Sequence, residues 1–201
     1  GQCNFFIRHI YVQRFISLKL VIIQSLTLLQ SSKVKLKMKE LLQQYADYNT
    51  WANRILFERI SKLSEEQLHQ EIASSFPSVY KTMVHMWQAE DIWWQRLKLV
   101  ENITALSETF KGDFNELTAG LARQSAMWKQ WVDTATEPQL THVFAFVRNK
   151  EQHKIKVQDM LLHLFNHATF HRGQLVTLLR QLGQVDKIPS TDFSTYCRVK
   201  K

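Results

Sequence analysis

Glycine and proline are scarce in this chain, five and three residues in 201. So few turn formers exclude an architecture of many short strands joined by tight turns, and they leave long helices as the expectation. Cysteine is scarcer still. Cys3 and Cys197 stand near opposite ends with no Cys-x-x-Cys pair, which excludes a disulfide framework and points to structural thiols in a reducing, cytoplasmic setting. Acidic residues are missing altogether from the first 37 positions, which carry Arg8, Arg14, Lys19, Lys33, Lys35 and Lys37. Residues 38–201 then hold 20 basic against 18 acidic side chains, so the formal charge of +8 is concentrated in the leading segment. The electrostatic footprint of a nucleic-acid binder is absent from the rest, and no specific nucleic-acid partner is expected.

A comfortable membrane span is missing too. The run from Phe15 to Leu29 is interrupted by Lys19 and Gln24 and falls short of the about 20 apolar residues that a spanning helix needs. No small-residue cleavage site follows it. With Gly1 rather than Met at its start, the segment 1–37 reads as an N-terminal extension, added or non-native, and Met38 as the start of a folded domain over 38–201. A membrane-proximal helix is the alternative for the extension, and integral membrane association is not expected.

What is present is apolar and aromatic: 45% hydrophobic residues, six Trp and twelve Phe, enough for a sizeable core. Leu41, Tyr45, Tyr48, Ala52 and Ile55 recur at three- and four-residue steps, which predicts a first helix, and Ser64 with Glu65 and Glu66 starts a short segment after it. Pro77 precedes a second helix over 78–100, rich in Trp. A loop through Gly112 leads to a third over 114–135. The strand-like runs "THVFAFV" and "HKIKV", separated by "RNKEQ", predict a hairpin near 141–157. The fourth helix, over 157–182, closes at Gly183. The expected fold is all-α, an antiparallel four-helix bundle with long connections and a small β-hairpin before the last helix.

The fourth helix carries His163, His167 and His171 four residues apart. Neighbours at that spacing are offset by about 40° with Cβ atoms about 6 Å apart, so two imidazoles can share an ion. Three in a row cannot, because the outer pair lies about 12 Å apart on a straight helix. With His171 set at 0°, Leu164, Leu175, Leu178 and Leu182 fall within about 40°, His167 sits near −40° and His163 drifts to about −80°. His167 and His171 therefore face the interior, and His163 suits a supporting or interfacial hydrogen bond. On the second helix His85 stands at the edge of the aromatic arc, a phase that permits ligation without requiring it. A buried histidine bonded to a backbone carbonyl is the commoner fate of such a motif.

"YNTWANRIL", "TMVHMWQAEDIWW" and "LLHLFNHATFHRGQL", in this order and at these separations, resemble the DinB-like superfamily of four-helix metalloproteins over residues 38–185. The resemblance implies a divalent metal, zinc or nickel, held by one histidine of the second helix and two of the fourth, here His85, His167 and His171. It also implies chemistry such as passing the sulfur of a low-molecular-weight thiol to an electrophile, although shared membership says little about substrate. The extension departs from the family pattern. A homodimer is implied as well, and the Trp-rich outer surface of the second helix points the same way.

Three neutral imidazoles leave a divalent ion its full charge, so an open position favours an anion, either a thiolate or water with its pKa drawn towards about 7. The expected function is that of a metal-dependent enzyme, a thiol S-transferase or hydrolase acting on a small electrophilic substrate. The alternative is a non-catalytic, metal-stabilised bundle that binds a small ligand or serves a stress response. For an acid or base the candidates are Glu90 and Asp47, both ordinarily read as solvated or ion-paired carboxylates. Arg172 reads as a solvated residue beside the core stripe, with steering of an anionic thiol as the alternative, and Gln174 as a hydrogen-bond partner for a ligand histidine or water.

Overall fold

The computed structural model describes residues 38–200 apart from 149, 185 and 187, so the proposed extension and Cys3 lie outside the described residues. Four long helices dominate: α1 over residues 38–60, α3 (Val79–Leu97), α5 (Phe114–Thr134) and α7 (Val157–Gln181). Short helices α2 (Glu65–His69), α4 (Leu106–Thr109) and α6 (Glu137–Thr141) sit in the connections, and α8 (Phe193–Val199), which periodicity did not reveal, follows α7. Strands β1 (Val143–Arg148) and β2 (Glu151–Lys156) pair antiparallel just before α7. Among the described residues no helix is long and apolar enough to cross a membrane.

Local chemistry sets the boundaries. Ser64 and Gln67 form a reciprocal capping box at α2, Ser78 caps α3, and Asp113 with Glu116 forms a second box at α5. Gly183 ends α7 with a φ of 76°, a conformation that suits glycine. The hairpin is tighter than expected. Its strands reach Arg148 and begin again at Glu151, so the connection is two residues rather than five. Lys150 supplies the positive φ of 66° that a glycine would normally provide, which is why no turn signal was visible.

The helix directions follow from which residues meet. Trp87, Glu90 and Trp94 of α3 meet Gly120, Ser125 and Trp128 of α5 in ascending order, so these two helices are parallel. His85 and Trp93 meet His171 and His163 in descending order, so α3 and α7 are antiparallel. A parallel α3–α5 pair requires the chain to return along the bundle between them, and α3 guides that return. Gln95 bonds the backbone of Thr104, Gln88 accepts from the Ser107 amide at 2.8 Å, and the Tyr80 hydroxyl bonds the Gly112 carbonyl.

The core between the helices includes Leu56, Ile60, Met83, Leu121, Leu175 and Leu178, all essentially without exposure, each stabilising the fold by about 1.5–3 kcal/mol. The tryptophans of α3 pack against the rest of the chain to different depths, Trp93 buried and Trp87 and Trp94 half-buried. Trp93 is buried, Trp94 lies edge-on to Trp128, and Trp87 contacts Phe110 and approaches Gly120 so closely that a Cβ there would stand 2.1 Å from its ring.

Candidate metal centre

The antiparallel pairing of α3 and α7 brings His85 level with His167 and His171. His167 Nε2 lies 3.1 Å from His85 Nε2 and 3.0 Å from His171 Nε2, and one ring nitrogen from each residue falls within 4.8 Å of the others. These separations are close to the about 3.3 Å edge that nitrogen donors form around an ion held tetrahedrally at about 2.0 Å. Gln174, one turn beyond His171, accepts a hydrogen bond from its Nδ1 at 2.6 Å and donates towards Ser75 Oγ at 3.4 Å. A proton fixed on Nδ1 leaves the Nε2 lone pair of His171 directed into the cluster.

Burial, reinforced by the neighbouring His171, His85 and His163, pushes His167 down to about 3. His85 is held at about 4, by burial first and then by His171. Burial lowers His171 as well, against the Gln174 bond. The three imidazoles are therefore neutral at pH 7, the form in which histidine ligates a metal. Phe76 stacks on His85 with centroids 3.9 Å apart and meets His171 edge-on. Neither Phe76 nor Ser75 was legible in the sequence, because both lie in the irregular segment before α3, where no periodicity assigns a direction.

His163 stands one turn away on the exposed rim, its ring 6.0 Å from His167 and edge-on to Trp93 at 5.5 Å, with no hydrogen bond to the three. The two carboxylates are engaged elsewhere. Asp47 pairs with Lys129 at 3.2 Å and with Lys200, and these partners outweigh its partial burial and hold it below the usual range. Glu90 is 2% exposed, not solvated. It accepts from Asn49 Nδ2 at 3.1 Å and from Ser125 Oγ at 2.9 Å, yet burial outweighs these bonds and the charge of Arg172, pushing it up to about 7.

Arg172 also contradicts its sequence reading. It is 1% exposed and donates to Asn49 Oδ1 at 2.6 Å, Asn53 Oδ1 at 3.0 Å and Thr169 Oγ1 at 2.8 Å, with its guanidinium 5.0 Å from the Tyr48 ring. Its long side chain crosses the bundle, a reach that helix phase at Cα does not convey. Asn49, Glu90, Ser125 and Arg172 thus join α1, α3, α5 and α7 in one buried polar network. A groove of about 470 Å³ between α1 and α5 has Asn53 and Ser125 among its lining residues, and a second cavity of about 350 Å³ is lined by Ser74, Phe170 and Gln174.

A four-helix bundle with three converging neutral imidazoles defines a class of candidate metalloproteins, and comparison with known sequences narrows it. The DinB family profile matches residues 34–200, so the chain belongs to the DinB family. The protein DinB of Bacillus subtilis is 29% identical over 167 residues, covering 77% of this chain and 92% of that protein. Among solved structures, a DinB-like protein from Bacillus cereus superposes with a TM-score of 0.58 at 20% identity, covering 75% of this chain and 95% of the other. YfiT from Bacillus subtilis, described as a probable metal-dependent hydrolase with an unusual four-helix bundle topology, gives 0.55 at 17% identity, covering 74% and 87%. These likenesses place the fold.

Proposed function

We propose that this chain is a divalent-metal-dependent enzyme of the thiol S-transferase or hydrolase type, acting on a small electrophilic substrate. The convergence of three neutral imidazole nitrogens, one with its tautomer fixed by Gln174, carries the reading. His85, His167 and His171 would hold zinc or nickel, both suited to imidazole. The ion would supply Lewis acidity and lower the pKa of a thiol or water brought to it. The chain's own residues do the rest. Gln174 orients His171, Phe76 shields one face of His85 from water, and Ser75 anchors Gln174. Among the described residues Glu90 and Asp47 bond elsewhere, to Asn49 and Ser125 and to Lys129 and Lys200, so the substrate, the thiol or solvent is the proposed source of a catalytic acid or base.

The lack of a carboxylate in the histidine cluster among the described residues favours one second reading, a non-catalytic bundle in which the ion supports a ligand site. We further assign a folded domain from residue 38 onwards, a cytoplasmic setting and a homodimer, the last resting on the half-buried Trp87 and Trp94 of α3 and on exposed apolar side chains such as Phe170 and Val199.

Elemental analysis of protein purified without chelator tests the centre. About one ion per chain is expected, with most of it lost in His167→Ala and His171→Ala and retained in His163→Ala. Equal metal content in all four proteins would sink the assignment. A rate with a thiol and a generic electrophile that follows metal content supports the enzyme, and a metal-loaded protein without such a rate supports the second reading.

A further inference from the structure

The seam between α1 and α5 is closed at one end and open at the other. Gln43 bonds Asp133 at 3.2 Å and Asp47 pairs with Lys129 at 3.2 Å. Towards the start of α5 the seam parts, and Phe57, Phe114, Ala119 and Ala122 wall the groove of about 470 Å³. That volume lies within the about 300–1,000 Å³ of small-molecule pockets. Its lining residues stand on α1, on α5 or just past the end of α1, whereas the histidine cluster is held by α3 and α7. Asn53 and Ser125, 4% and 3% exposed, form its floor, and Arg54, Glu58 and Asn115 are exposed at its rim.

The floor has a fixed polarity. Arg172 can only donate, so the Asn53 atom it meets at 3.0 Å is the oxygen, and the amide nitrogen turns away from it towards Ser125. There Nδ2 finds Ser125 Oγ at 3.5 Å, the outer limit of a hydrogen bond. Two N–H donors with one such contact leave bonding capacity unspent. Ser125 gives its single proton to Glu90, at 3.0 Å and 2.9 Å from the two oxygens, and keeps its lone pairs. Higher in the groove Thr50, Ser61 and Thr118 likewise spend their protons on the carbonyls of Ala46, Glu58 and Phe114. The lining hydroxyls therefore accept, and at the floor Asn53 donates. A donor and an acceptor side by side match a primary carboxamide, whose carbonyl takes an Asn53 N–H while its own N–H goes to Ser125. A carboxylate would set its charge against Glu90 behind Ser125, and an ammonium would face the Asn53 donor and the charge of Arg172. We propose that the α1–α5 groove is a second ligand site, which takes an aryl carboxamide with its amide on Asn53 and Ser125 and its apolar body between Phe57, Phe114, Ala119 and Ala122. This site does not depend on the metal reading.

The probe is 3-phenylpropionamide, titrated into the full chain, metal-free and metal-loaded, while the Asn53 side-chain amide and the alanine methyl signals are followed by NMR. Saturable shifts at Asn53, Ala119 and Ala122 are expected in both forms, with a dissociation constant at or below about 1 mM, as suits a ligand of this size. 4-Phenylbutan-2-one has the same shape but a methyl group where the amide has its nitrogen, so it should bind at least about fivefold more weakly. 3-Phenylpropionate should be weaker again. Ser125→Ala should erase the preference for amide over ketone. Ala122→Trp, at an exposed position, should fill the groove, abolish binding and leave the oligomeric state unchanged, so it carries the test if Ser125→Ala does not fold. No saturable shift, equal affinity for the amide and either analogue, or a probe still bound by Ala122→Trp would each overturn the site. A change of oligomeric state in Ala122→Trp would overturn it too, because the occupant of the groove would then be a second copy of the chain.

Discussion

The bundle contains two polar centres that solve opposite problems. The Glu90–Arg172 network is nearly closed: a buried acid and a buried base are joined through Asn49, and Asn53, Ser125 and Thr169 bond their other polar atoms, leaving only the Nε of Arg172 without a partner. The histidine cluster is open, since its nitrogens face one another with few proton donors and only Gln174 to orient them. A closed network confers specificity on the packing of four helices, whereas an open one keeps unspent bonding capacity for something from outside. Buried polarity alone therefore does not mark a functional site; a cluster of lone pairs facing one another does.

The sharpest way to break the comparison is to open the closed centre. Arg172→Leu should leave Asn49 and Asn53 without their donor and strand Glu90, costing about 3–5 kcal/mol in urea unfolding of the metal-free protein. A loss below about 1 kcal/mol would mean that the network is not a unit.

Next in size is the pH response of Glu90. Its folded pKa of about 7 lies above the ordinary 4.5, so between those values the folded state holds a proton that the unfolded state has released. Stability from this group is full below about pH 4.5 and is lost as pH rises through 7, a swing of about 3 kcal/mol. Glu90→Gln should therefore gain on the wild type by up to that amount between pH 5 and 7.5. A constant difference across the range contradicts it.

The open centre responds with the other sign. His85 and His167, held at about 4 and 3, stay neutral while their unfolded counterparts protonate below about 6.5. Metal-free stability should fall as pH drops from 6.5 towards 4, and Glu90→Gln, free of the opposing term, should show this slope more steeply than the wild type. A flat acid limb in that variant refutes the assignment. Smallest is Gln174→Ala, which should weaken metal binding by about 10- to 100-fold, as loss of an orienting partner does, and leave the fold unchanged. Unaltered affinity by competitive chelation would show that Gln174 does not hold His171 in place.

What the sequence made legible was local. His167 and His171 lie four apart on one helix, so their meeting is fixed by helix geometry, and the four long helices announced themselves through period and capping residues. The closed network was not legible, because Glu90 meets Asn49 and Ser125 only once α1, α3 and α5 are registered against one another. Arg172 was assigned to solvent from the phase of its Cα, and the length of its side chain reversed the outcome.

The parallel run of α3 and α5 also imposes an order on assembly. Helices joined by a short turn can dock as soon as they form, but α5 cannot lie beside α3 until residues 98–113 have been laid back along it under the guidance of Gln95, Gln88 and Tyr80. That loop closure carries an entropic cost before any contact repays it. Pulse-labelled hydrogen exchange during refolding should accordingly protect α3 amides before those of α5, and the reverse order would show that the return segment is passive.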